Sequence, residues 1–163
     1  MHKANHVRVH VSGQEHSHIH QVEEGIAVEA IILSLIESGP LKGAVAEEIL
    51  FFREDGEDEI PRSYKFSQDD WGKRFHAHAC REIEVTVIFP GKELPHRCRP
   101  GTTIRKFLNW AKANFPIDKS TQYELRLSAT GNPLDPGSHV GSYVKHHECK
   151  LTVYLTPDTR ING

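Results

Sequence analysis

Long apolar runs are missing from this chain. The longest, Ile26 to Ile36, is interrupted by Glu29 and Ser34 and falls well short of the roughly 20 residues a membrane-spanning helix needs, so no membrane partner is expected. Behind Met1, His2, Lys3 and Asn5 there is no apolar core region, and nothing there resembles a signal peptide. Cysteine is scarce too. Cys80, Cys98 and Cys149 are odd in number and form no C-x-x-C pair, which suits reduced thiols in a cytosol and argues against a disulfide scaffold. A cytoplasmic location is expected. Basic charge is not in excess: 20 Lys and Arg stand against 22 Asp and Glu, for a net charge of −2. With no basic run interleaved with aromatics, nucleic acid is not an expected partner. At 163 residues and 37% hydrophobic content, the chain suffices for one mid-sized core or two small ones.

Histidine is the residue present in excess. There are 12, and His2, His6, His10, His16, His18 and His20 crowd the first twenty positions. They fall on a legible pattern. Val7, Val9 and Val11 alternate as a strand, Ser12-Gly13-Gln14 reads as a turn, and His16 to Val22 returns as a second strand. Val28, Ile31, Ile32, Leu35 and Ile36 follow a 3.6-residue period that Ser38-Gly39-Pro40 stops, giving a core helix. Glu48 to Arg53 is a third strand. Lys73 to Cys80 is a weaker fourth, with Phe75, Ala77 and Ala79 on one face.

The same order then starts again. Val85 to His96 lies over Val7 to His18, with Val85 on Val7, Val87 on Val9, Gly91 on Gly13 and His96 on His18. Thr103 offers a helix N-cap, Ile104, Phe107, Leu108 and Ala111 form an apolar stripe, Tyr123 to Leu127 is a strand, and Leu151 to Leu155 is the last. Two copies of strand, strand, helix, strand, strand therefore fill the chain. The expected units are residues 1–81, residues 82–155 and a tail at 156–163, which Pro157 and the polar residues after it release from pairing. Placing the first and last strands of each copy side by side and parallel gives an α+β chain of two β-grasp domains, each a mixed sheet packed on one helix.

The second copy resembles ubiquitin across its length. The resemblance rests on Gly131-Asn-Pro-Leu-Asp-Pro-Gly137, Tyr143 and Leu151-Thr-Val-Tyr-Leu155, with Lys92 at the turn lysine of the first hairpin. Two such domains before a glycine-ended tail are similar to the interferon-induced tandem ubiquitin-like modifier. They look most like the tandem modifiers of bacterial ubiquitination-like anti-phage operons. The resemblance implies a protein modifier rather than an enzyme, with no cofactor of its own. Its implied partners are an activating enzyme, a conjugating enzyme, a deconjugating protease and a target lysine. The functional group would be the carboxylate of Gly163, carried on a thin segment, Thr159, Arg160, Ile161 and Asn162, that fits the activating enzyme's channel. A residue without Cβ lets two enzymes' nucleophiles approach the carbonyl. Alignment puts Phe89, Ser128 and Tyr154 at ubiquitin's exposed aliphatic patch, a possible interaction face with a serine at its centre. Two rival readings stand beside this one: a tandem interaction module whose sheet faces bind a partner without conjugation, and a sulfur carrier that uses the terminal glycine as a thiocarboxylate.

The histidines are expected on one exposed sheet face. With Val7, Val9, Val11 and Phe75 turned to the core, His10, His76 and His78 point out, and an inward Ile19 turns His16, His18 and His20 the same way. Cross-strand pairs among them are weak candidates for Zn²⁺ or Ni²⁺, and a pH-sensitive face is a second reading. With no thiolate or carboxylate placed to complete a ligand set, no metal site is expected. A solvated surface is the leading reading.

Overall fold

The structure, a computed structural model, describes residues 5–145 and 147–158. In the first domain β1 (His6–Val11), β2 (His18–Gln21), β3 (Leu50–Arg53) and β4 (Arg74–His78) lie in the order β2-β1-β4-β3, and α1 (Val28–Glu37) crosses from β2 towards β3. In the second, β5 (Ile83–Phe89), β6 (Lys92–Cys98), β7 (Tyr123–Arg126) and β8 (Lys150–Pro157) repeat it as β6-β5-β8-β7, with α2 (Ile104–Asn114) as the crossover. The pairs β1–β4 and β5–β8 are parallel and the rest antiparallel. These are two tandem ubiquitin-like β-grasp domains.

Each helix forms where its sequence asks for it. α1 buries Val28, Ile31, Ile32 and Leu35, and ends at Ser38 before Gly39, which adopts φ 115°. α2 begins under Thr103, whose hydroxyl accepts from the Lys106 N–H at 3.1 Å, and buries Ile104, Phe107 and Ala111. The cores are separate. Phe51, Phe66 and Phe75 join Val7, Val9 and Ile32 in the first, and Ile83, Val87, Phe107 and Leu155 fill the second.

Cys80 and Cys149 form a disulfide across 69 residues, against the expectation of three reduced thiols. The topology explains it: β5 and β8 are parallel neighbours, with Glu84 paired to Lys150. The residues just before the two strands therefore lie side by side, and the Cα atoms of Cys80 and Cys149 are 5.6 Å apart. Cysteine usage consequently gives no support to a cytoplasmic location. Cys98 is the free thiol, and burial pushes its pKa up to about 12, so it is protonated and unreactive at neutral pH. Among the described residues no helix is long and apolar enough to cross a membrane.

The second difference is the end of β8. It runs through Pro157, two residues past the expected end at Leu155, and the Asp158 N–H still donates to the Gln122 carbonyl at 2.8 Å. Proline is tolerated because backbone N–H groups alternate sides along a strand. Asp158 donates towards β7, so residue 157 would donate to the other side, where β5 pairs with β8 only as far as Tyr154.

Candidate functional site

β8 positions whatever follows it. Val153 and Leu155 are buried in the second core, while Tyr154 and Thr156 lie on the opposite face, beside Ile88, Arg126 and Glu124. The strand is thus held by its inner side chains and by pairing on both edges, and it leads the chain out beside Gln122. The expected conjugation residue Gly163 and the channel residues Thr159, Arg160, Ile161 and Asn162 lie outside the described residues.

The three positions aligned with ubiquitin's patch do not share one surface. Tyr154 is on the outer face of the second sheet, next to Ile88. Ser128 is exposed in the turn after β7. Phe89, an odd-numbered neighbour of Val85 and Val87 on β5, turns inward and packs on Phe115 and Tyr123 at 5.6 and 6.3 Å between ring centroids. The outward apolar group contributed by β5 is Ile88.

The outer face of the first sheet is solvated only towards β2 and the start of β4, where Ile19 and Arg74 are exposed. His10 is 4% exposed, and His76 and His78 are 0% exposed, because the second domain lies over them. The segment from His139 to Val144 supplies the cover. Gly13 N–H donates to the Gly141 carbonyl at 3.1 Å, and His78 Nε2 donates to the Val144 carbonyl at 2.9 Å while its Nδ1 accepts from the Cys80 N–H. Asp55 closes the other side, its N–H on the Gly101 carbonyl at 2.9 Å and its Oδ1 accepting from the Thr103 N–H at 2.8 Å. The expectation of exposed His10, His76 and His78 is corrected accordingly.

At the centre of this interface three imidazoles meet. His139 Nε2 lies 2.7 Å from Glu54 Oε2, to which it donates, leaving Nδ1 as an acceptor. His76 Nδ1, 3.2 Å from His139 Nδ1, is then the donor, and His76 Nε2 faces Gly141 with no hydrogen-bond partner. His10 stacks edge-on against His139 at 4.2 Å between centroids, with both ring nitrogens buried and unpartnered. Burial, then the neighbouring His139, Arg74 and Arg8, lowers the His10 pKa to about 3. Burial holds His76 well below its usual value, and burial lowers His139 despite the opposing pull of Glu54. All three are neutral at pH 7. Among the described residues no group of three or more His, Cys, Asp or Glu is placed to hold a metal.

His16, His18 and His20 are elsewhere. The register pairs Val9 with His18 and Val7 with His20, and directly opposed residues share a face. His18 and His20 therefore sit at the rim of the first core, half-buried, with pKa values lowered by burial, and His18 Nε2 lies 2.9 Å from Gln14 Oε1. Ile19 is the outward residue, at 58% exposure. His16 is exposed in the turn.

Sequence reasoning missed His139, Gly141 and Glu54. One signal was available. Phe51 and Phe52 are consecutive on a strand, so they point to opposite faces, and two buried phenylalanines there mean that both faces of that sheet are covered.

Residues 84–158 match the protein family described as BilA ubiquitin-like domain 2. None of the curated proteins matches the chain. Among solved structures, an Arabidopsis thaliana protein determined by NMR is 16% identical and aligns over 49% of this chain and 90% of its own, with a TM-score of 0.39.

Proposed function

We propose, for a ubiquitin-like chain whose residues 84–158 are similar to BilA ubiquitin-like domain 2, that it is a protein modifier, joined to targets through the carboxylate of Gly163 and used in bacterial anti-phage defence. That family match is the observation that carries the reading. β8 supports it, since the strand anchored by Val153 and Leu155 leads the chain out of the sheet at Asp158. From there five residues reach Gly163, a span of at most about 18 Å when extended.

A carboxylate does not acylate an amine at neutral pH. An activating enzyme joins it to the α-phosphate of ATP, releasing pyrophosphate, and a thiolate of that enzyme then takes the acyl group and expels AMP. A target amine displaces the thiolate and forms the amide. The modifier contributes no catalytic side chain to these steps. It supplies the carboxylate, a residue without Cβ next to it, and a folded body by which the enzymes hold it. For that body the second domain offers Ile88 and Tyr154 on its outer face, whereas the second domain covers the first domain's outer face around His10, Phe52, His76 and His78. This favours conjugation over the rival interaction module, which would rely on two free sheet faces.

The test is conjugation in cells carrying the cognate enzymes. The full chain is expected to yield higher-mass adducts resistant to thiol, and deletion of Gly163 to abolish them. Biological activity that survives the deletion would instead support the interaction module.

A further inference from the structure

Imidazoles line the interface between the two domains, and of the three at its buried centre only His139 has an acid to answer it, while at the exposed rim His147 Nε2 lies 3.4 Å from Glu48 Oε2. Glu54 faces His139, and Asp55 adds to its field. The charged and titratable neighbours of His10 are His139, Arg74, Arg8 and His18, and those of His76 are His78, His139 and His10. None is a carboxylate. A proton on either ring would therefore sit in a buried site beside other donors and cations, with no acceptor within reach of His10 or of His76 Nε2. The site has no slack to admit water at His76: a Cβ built on Gly141 would collide with the ring and lie 2.9 Å from the Pro100 Cβ.

We propose that the two β-grasp domains form an acid-released clamp, in which protonation of His10 and His76 separates the second domain from the outer face of the first while each domain stays folded.

The parts needed for such a release are present. The two cores are separate, and four residues separate the end of β4 at His78 from the start of β5 at Ile83. The disulfide does not cross the interface, because Cys80 and Cys149 both belong to the second core. The hinge lies beside His78, whose ring binds the Val144 carbonyl and the Cys80 N–H and is lost as a link once the face opens. By linkage, an imidazole that must stay neutral when docked and titrates normally near pH 6.5 when released weakens docking about thirtyfold at pH 5. Two of them weaken it about a thousandfold.

The experiment is small-angle X-ray scattering on the full chain from pH 7.5 to 4.5, with far-UV circular dichroism in parallel. It compares wild type with His10→Phe, an apolar ring that gives up no hydrogen bond, and with His16→Gln at an exposed site. The expected result is an increase in radius of gyration in acid with the dichroism unchanged. His10→Phe should stay compact at a pH where wild type and His16→Gln have opened. A wild type that stays compact to pH 4.5, an expansion accompanied by loss of secondary structure, or His10→Phe opening at the wild-type pH would each overturn the proposal. Should His10→Phe fail to fold, hydrogen exchange on wild type decides. Acid must then remove protection, relative to intrinsic rates, from the Gly13 and Asp55 amides that donate across the interface, and leave that of Leu134, which donates to Leu125 within the second domain. Equal retention at all three would contradict release.

Discussion

The Nδ1 atoms of His76 in the first domain and His139 in the second lie 3.2 Å apart, so one proton serves both and the two rings must hold complementary tautomers. Glu54 decides which. By accepting from His139 Nε2 it leaves His139 Nδ1 bare and assigns the shared proton to His76. The docking of the domains thus depends on a chain of neutral imidazoles ending on a carboxylate.

Gly141 is required by that chain for its size. Gly141→Ala would drive a methyl group into His76 and towards Pro100, and a cost of about 1–3 kcal/mol is expected from overpacking. Gly137→Ala, whose Cβ would meet nothing closer than Asp135 Oδ1 at 3.5 Å, serves as the comparison. Denaturant unfolding of both variants measures the difference.

Asp70 ties the first domain together. Its Oδ2 accepts from the Ser67 N–H and the Tyr64 hydroxyl and its Oδ1 from Arg53, which also donates to Tyr64. Burial alone would raise the Asp70 pKa, but these donors outweigh it and hold it below the usual carboxylate range. Its stabilisation is therefore complete above about pH 4, the unfolded value, and is lost as pH falls through the lower folded value. Asp70→Asn should cost about 1–3 kcal/mol at pH 7 and less at pH 2.5, as read from denaturation midpoints at the two values.

The Cys80–Cys149 bond closes 69 residues of the second domain, which on chain-entropy grounds stabilises it by about 4 kcal/mol. Reduction should lower the unfolding midpoint of the second domain and leave that of the first in place, because both cysteines belong to the second core. Amide protection on β5 and β1, with and without reductant, separates the two.

Thr103→Ala removes the cap of α2 and the hydroxyl that lies 3.3 Å from Asp55 Oδ2. A loss of about 1–2 kcal/mol is expected. Thr103→Ser should restore most of it in the same unfolding assay.

Much of this architecture was legible in the sequence because hydrophobic period and turn chemistry are local. Thr103, Gly39 and the stripes of both helices are where pattern places them, and the parallel pairing of first and last strands follows from their order. The face of β2 was not legible. Pairing residues sum to 27 in the first hairpin, so odd positions inward on β1 force even positions inward on β2, and the pairing register overrode the preference of Ile19 for the core. The burial of His10, His76 and His78 was hidden for another reason. Imidazoles read as polar by composition, yet neutral rings pack, and the segment that covers them, His139 to Val144, lies more than sixty residues further along the chain. Only the adjacent Phe51 and Phe52 betrayed a second buried face. The disulfide needed the topology first, since only the parallel β5–β8 pair brings Cys80 to Cys149.

Whether Gly163 carries an activated carboxylate is read by a thioester assay. The chain is incubated with its cognate activating enzyme, ATP and Mg²⁺, and the product is read as a thiol-sensitive mass shift beside a Gly163 deletion. An adduct is expected with the full chain and none with the deletion, whose sheet, closed by Asp158 on Gln122, is left untouched. No adduct from an enzyme shown to be active, or an adduct that survives the deletion, would contradict activation at Gly163.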